Sequence, residues 1–210
     1  KPPSEQHLYL FEQAMLQGET RFAIEVQQIA QSIISQWQFP QDKPIVLVSF
    51  VRAGVPLGVL LNDALHDLGQ ASVHFGVSIV RDKGIDYAAL ELLIAKYGVD
   101  SLVFVDGWTG KGAISQELHR SLGKDPRFLA VQQKYQRDML PLVVLSDIGG
   151  CAWLAASGDD WLIPSGVLGS TISGLISRSI CKGDNLSQSE INENNLNEWH
   201  GCIEYSHLQE

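Results

Sequence analysis

The sequence predicts an α/β protein: a doubly wound, mostly parallel sheet with helices on both faces and a small hood or appendage. Three observations predict it. Short continuous apolar runs, Ile45–Val48 and Leu102–Val105 among them, suit strands buried on both faces. Stretches with helical periodicity alternate with those runs, the pattern of strands joined by right-handed helical crossovers. Loops rich in glycine and charge follow the strand ends directly, where sheets of this kind bind ligands.

Leu8 to Met15 reads as a short helix, which Gly18 separates from a longer one over Arg21 to Trp37. In the longer helix Phe22, Val26, Ile29, Ala30, Ile33, Ile34 and Trp37 recur near a 3.6-residue period, giving one face to pack on the sheet. Pro40 and Pro44 bracket a loop, and Ile45–Val48 forms the first central strand with Ser49 to Gly54 as its outgoing loop. Pro56 suits the first turn of the next helix and Gly69 its end. Val73, Phe75, Val77 and Ile79 alternate with smaller or more polar residues in a strand that ends at Val80. The charged segment Arg81 to Ile85 follows, and Asp86 caps a helix from Tyr87 to Tyr97 that Gly98 stops.

The stretch Leu102 to Ala113 combines a buried strand, an acid and a glycine-rich loop that opens a helix running to Leu122. Gly110 and Gly112 leave backbone N–H groups open to an anion, Thr109 offers a hydroxyl, and Lys111 places a positive charge beside a helix N-terminus. Asp106 at the strand end suits sugar hydroxyls. Phe128–Val131 and Leu142–Leu145 are further strand candidates, and Ser146 to Cys151 is a turn-rich strand exit. Trp161 to Gly166 is a short apolar piece, and Thr171 to Ile180 reads as a helix. Beyond Gly183 the chain is asparagine-rich, with Trp199, Cys202, Ile203 and Tyr205 apolar enough to dock. This gives an N-terminal helical segment (1–40), an α/β domain (41–182) and a C-terminal extension (183–210).

Composition narrows the function. The 210 residues allow a sizeable core, and the balance of 24 acids against 15 bases, a net charge of −9, argues against a broad nucleic-acid surface. Arg52, Arg81, Lys83 and Lys111 nevertheless fall in three short loops, where they focus positive potential in one cleft. No apolar run is long enough to span a membrane and the start carries no apolar signal core, so the expected location is the cytoplasm. The three cysteines, Cys151, Cys181 and Cys202, lack metal-ligand spacing and are expected as reduced thiols.

The three loops together resemble those of type I phosphoribosyltransferases. More narrowly, LVSFVRAG, SIVRDKGID, FVDGWTGKGAI and PSGVLGSTISGLISRS are similar to the phosphoribosyltransferase-like proteins of bacterial tellurite-resistance and stress gene clusters. Some of those proteins are labelled cysteine proteases and some carry a Pelota-type RNA-binding domain. They extend further at both ends, which makes this chain a candidate fragment. The resemblance implies a Mg²⁺-dependent enzyme that uses phosphoribosyl pyrophosphate to form or break an N-glycosidic bond, building a modified ribonucleoside in a stress response. It implies pyrophosphate contacts from Ser49, Phe50, Val51, Arg52, Ala53 and Gly54, and closing-loop contacts from Arg81 and Lys83. Asp106, Gly107 and Trp108 would hold the ribose, with Asp106, Arg81 and Lys83 catalytic, and Thr109, Gly110, Lys111, Gly112 and Ala113 would cradle the 5′-phosphate.

Mg²⁺ would arrive with the diphosphate rather than occupy a dedicated cage. Trp161 and Ser165 are candidates for a hood over an unknown nitrogenous base, although core packing is the better reading of Trp161. A homo-oligomer completes the implied partners. One departure stands out: Gly107 replaces the second acid of the usual motif, with only Trp108 before Thr109. Two alternatives follow, a non-catalytic regulator that binds phosphoribosyl pyrophosphate or a nucleotide, and a cysteine hydrolase using Cys151. Gly149-Gly150-Cys151-Ala152-Trp153 has the form of a nucleophile loop, but the six histidines show no spacing that names a partner.

Overall fold

The computed structural model of the chain describes residues 4–80, 82–161, 163 and 203–204. The strands are β1 (Ile45–Phe50), β2 (Ser72–Val77), β3 (Ile79–Val80), β4 (Gly84–Ile85), β5 (Leu102–Thr109), β6 (Leu142–Asp147), β7 (Leu154–Ser157) and β8 (Ile203–Glu204). The helices are α1 (Glu5–Gln36), α2 (Gly54–Asp67), α3 (Tyr87–Tyr97), α4 (Ala113–Leu122) and α5 (Pro126–Tyr135). One sheet has the order β7-β6-β5-β1-β2-β8, and β3 and β4 form a separate two-stranded hairpin. The five strands from β7 to β2 are parallel, and β8 adds antiparallel at the β2 edge. The mostly parallel α/β class predicted from the sequence is therefore observed.

Alternation along the central strands divides the core in two. Val46, Val48 and Phe104 face a cluster with Leu90 and Leu93 of α3 and Leu118 and Leu122 of α4. Leu47, Val103 and Val105 face the opposite cluster, with Phe22, Val26, Ile29 and Ile33 of α1 and Leu57 and Leu61 of α2. The chain passes from β1 to β2 on one side and then returns to place β5 on the other, so the strand order reverses between β1 and β5. Sheets of this kind hold their sites outside such a reversal. Among the described residues no helix is long and apolar enough to cross a membrane.

Several elements differ from expectation. The two N-terminal helices are one: α1 runs through Gly18, which is buried on the same side as Ala14 and Phe22. The glycine's helix penalty of about 1 kcal/mol is outweighed by the packing of that face. Phe128–Val131 is helical, not a strand. Asp125 caps α5 by accepting from the Arg127 N–H, and Pro126 takes the first turn, so local capping decides a run that periodicity leaves ambiguous. β5 extends four residues past Val105, to Thr109, because it continues to pair with β6 through Thr109 and Asp147. The strand expected through Val80 divides into β2 and β3. β7, Leu-Ala-Ala-Ser, has no sequence signal and forms as an edge partner of β6. The helix expected over Thr171 to Ile180, Cys181, Ser165 and most of the C-terminal extension lie outside the described residues.

Two strand residues are buried titratable groups. His74 of β2 is fully buried, with Nε2 2.7 Å from Ser49 Oγ of β1, and burial lowers its pKa from 6.5 to about 4. Asp106 of β5 is 6 % exposed, and burial pushes its carboxyl from 3.8 up to about 7, opposed in part by the hydrogen bond from the Gly107 N–H at 2.8 Å. The two contribute with opposite sign. As pH falls below 6.5 the unfolded chain protonates at His74 while the fold does not, so that contribution to stability is lost on acidification. Denaturant unfolding should show the advantage of wild type over His74→Gln falling by about 2 kcal/mol between pH 8 and pH 5; a pH-independent difference would contradict this. For Asp106 the penalty develops as pH rises from 3.8 through 7. Asp106→Asn should therefore stabilise the protein by as much as about 4 kcal/mol at pH 8 and lose that advantage below about pH 4. An equal effect of Asp106→Asn at both pH values would refute it.

Candidate active site at the carboxyl edge of the sheet

Three strand exits converge at one edge of the sheet, those of β1, β5 and β6. The exits of β1 and β5 touch through their backbones: a Cβ on Gly54 would lie 2.2 Å from the Val105 carbonyl oxygen. That approach excludes any larger residue at position 54. In the β1 exit, Ser49 points inward to His74, and Phe50 stacks on Phe104 with ring centroids 5.7 Å apart. Val51 and Arg52 are half-buried and joined by a cis peptide bond, Ala53 is exposed and Gly54 is buried.

In the β5 exit, Asp106, Gly107 and Thr109 are buried, Trp108 is 51 % exposed and Lys111 is exposed. The Thr109 hydroxyl donates to Asp147 Oδ1 at the end of β6. Asp147 Oδ1 also accepts from the Cys151 N–H at 2.9 Å, and Oδ2 from the Ala152 N–H at 2.9 Å. The Ile148 N–H donates to the Thr109 carbonyl at 3.0 Å. One carboxylate therefore pins the glycine-rich exit of β5 to the cysteine loop that follows β6. Asp147 is absent from the sequence-based candidates, although Val143-Val144-Leu145-Ser146-Asp147-Ile148-Gly149 repeats the strand-acid-glycine order of the Asp106 stretch.

This pinning sets Cys151 against the start of α4. A Cβ on Gly112 would come 2.7 Å from Cys151 Sγ, so the thiol occupies the space that a side chain at position 112 would need. Gly112 is the N-cap of α4, in the left-handed region at φ 73°, and it has no side chain to satisfy the first-turn N–H groups. Ser115 Oγ, one turn into α4, donates to the Cys151 carbonyl at 2.7 Å. The thiol itself donates to the Gly149 carbonyl at 3.1 Å on the solvent side.

The other candidates lie elsewhere. Lys83 is exposed in the turn of the β3–β4 hairpin, and Arg81 lies outside the described residues. The hairpin is fastened to α4: the Asp82 N–H donates to Glu117 at 2.9 Å, and the Ile85 N–H to Ser121 Oγ at 3.2 Å. Trp161 packs on α1, edge-on to Phe22 and beneath the Arg21 guanidinium at 4.7 Å. His66 contacts Ser72 and His74 contacts Ser49. The His119 ring lies at the far end of α4, where a Cβ on Gly123 would be 3.0 Å from Nε2. Among the described residues no histidine is hydrogen-bonded to Cys151, and no group of three or more His, Cys, Asp or Glu side chains is placed to hold a metal ion.

Comparison with known proteins assigns the family. The family model described as "Tellurite-like stress resistance cysteine protease StiP" matches residues 1–210. The curated Cysteine protease StiP of Acinetobacter baylyi is 65% identical over 208 residues, covering 99% of this chain and 51% of that protein. The chain thus spans about half the length of this curated relative. Among solved structures, the hypoxanthine phosphoribosyltransferase of Trypanosoma cruzi aligns at a TM-score of 0.41 and 16% identity, covering 66% of this chain and 74% of that one. A mutant of that enzyme with its product IMP aligns at a TM-score of 0.41 and 12% identity, covering 88% and 85%. These structural likenesses are too distant to carry an activity. The expectation of phosphoribosyl transfer, and of a regulator keeping the same ligand, is corrected by the family model and the 65% identical relative, which favour the cysteine hydrolase alternative. The chain belongs to the tellurite-like stress resistance cysteine protease StiP family.

Proposed function

We propose that the protein is a thiol-dependent hydrolase of peptide bonds, acting in stress resistance, with Cys151 as nucleophile. The observation that carries this reading is the seat of the Cys151 thiol against the N-terminal turn of α4, in a loop that Asp147 and Ser115 fix from both sides. The family and the protease name of the Acinetobacter baylyi relative support the same chemistry.

The local physics suits acyl transfer. Attack by Cys151 Sγ on a carbonyl carbon moves charge onto the carbonyl oxygen, and the first-turn N–H groups of α4 and the helix dipole favour negative charge at that place. Asp147 does not take the thiol proton, because its two oxygens already accept from Thr109, Cys151 and Ala152. The thiol lies on the solvent side of its loop, so its proton leaves to water and returns from water to the departing amine. The resulting thioester is then hydrolysed, restoring the thiol.

Hydrolysis of fluorescein-labelled casein by the intact protein, including any segment beyond these 210 residues, tests the reading. Cys151→Ala should lower the rate by at least about 10³-fold, whereas Cys181→Ala and Cys202→Ala should keep it. Full activity in Cys151→Ala would overturn the assignment.

A further inference from the structure

Two independent features meet at Gln116 of α4. The first is the thiol. The point that a Gly112 Cβ would occupy is 2.7 Å from Cys151 Sγ and 3.7 Å from Gln116 Nε2, so thiol and side-chain amide flank one small space. The second is a cleft of about 500 Å³ between α4 and the Asp138–Leu140 segment, where Gln116 and His119 of α4 face Met139 and Leu140, with Arg120 and Asp138 also on its wall. Gln116 thus belongs both to the surroundings of the nucleophile and to the wall of an open cleft. Its exposure on α4 leaves the amide free to turn toward a bound group. The Ser115 hydrogen bond to the Cys151 carbonyl ties the first turn of α4 to the thiol loop, which keeps the Gln116 backbone beside that loop while its side chain turns.

We propose that Gln116 Nε2 donates the side-chain hydrogen bond to the acyl oxygen during attack by Cys151, and that the cleft beyond it receives an apolar acyl substituent against Met139 and Leu140. The inference rests on Cys151 being the nucleophile. In the step itself the thiol proton passes to water and the sulfur pair forms the S–C bond. The carbonyl π pair moves onto oxygen, where Gln116 and the α4 backbone donate. Collapse of that oxyanion expels the leaving group and yields the thioester. Primary amide N–H groups are effective donors to such an oxygen, and removal of one donor typically costs about 10²–10³-fold in rate.

Two small probes separate this role from a merely structural one. p-Nitrophenyl acetate acylates a thiol through an oxyanion, whereas iodoacetamide alkylates it by direct displacement without one. Gln116→Ala should slow the p-nitrophenolate burst by about 10²-fold while leaving iodoacetamide alkylation of Cys151 within about twofold of wild type. Gln116→Glu, which places negative charge beside the oxyanion, should slow the burst at least as much. p-Nitrophenyl hexanoate should react faster than the acetate, and Met139→Glu should remove that preference. If Cys151→Ala keeps the burst, or wild type shows none, the nucleophile reading fails and this inference with it. If the burst needs Cys151 but Gln116→Ala leaves it intact, or slows burst and alkylation equally, the role of Gln116 alone is overturned. Retention of the hexanoate preference in Met139→Glu would refute the assignment of the cleft.

Discussion

The Asp147 carboxylate is the constraint on which the candidate site depends. It ends β6 and accepts from the Thr109 hydroxyl on one side and from the Cys151 and Ala152 amides on the other. Its side chain joins the glycine-rich exit of β5 to the six residues linking β6 to β7, beside the backbone bond from the Ile148 N–H to the Thr109 carbonyl. Parallel neighbours usually need a crossover of a dozen residues or more, and here Ile148 to Trp153 suffices. The tight connection works because the carboxylate takes up amides that a turn of this length would otherwise leave without partners. Further along, the Trp153 N–H returns to the Leu142 carbonyl at 2.9 Å, and the Trp153 ring packs on Trp37 with centroids 5.3 Å apart. The cysteine loop is therefore fixed at both ends.

The same sheet edge illustrates why a loop pattern does not determine a reaction. Asp106, the glycines and Thr109 stand where an α/β sheet presents ligand-binding groups, yet the Thr109 hydroxyl is committed to Asp147 and the Asp106 carboxyl is buried with the Gly107 amide. What the edge adds is a thiol, seated where a Cβ at position 112 would stand. Phosphoribosyl transfer and thiol hydrolysis both profit from a helix N-terminus that favours negative charge, so a glycine-rich strand exit serves either chemistry. The family model and the name of the 65% identical relative favour the thiol reading proposed above.

Much of the architecture was legible because its signals are local. Ile45–Val48 and Leu102–Val105 read as buried strands from their unbroken apolar character, and Asp86 and Gly98 bound α3 as expected, with Asp86 accepting from the Ala89 N–H. The same locality explains the failures. Gly18 signals a break, but its burial beside Phe22 is a tertiary fact. Leu-Ala-Ala-Ser carries no strand propensity and becomes β7 only because β6 offers an edge. At the site, Thr109, Gly110 and Gly112 were legible as a loop of special backbone, and Cys151 as a possible nucleophile, whereas their juxtaposition was not. It depends on Asp147 and Ser115, two ordinary-looking residues whose importance lies in pairing across 38 and 36 positions of sequence.

The proposed role of Asp147 is to assemble a reactive thiol site at this edge. It is tested most directly by mapping the acyl adduct left by p-nitrophenyl acetate, by mass spectrometry of the quenched protein. The adduct is expected on the Cys151 peptide in wild type and to be lost or strongly diminished in folded Asp147→Ala, while Asp147→Asn, which keeps one acceptor oxygen, retains an intermediate yield. An adduct on a different residue, or one forming on Cys151 at an unchanged rate in Asp147→Ala, would contradict that role.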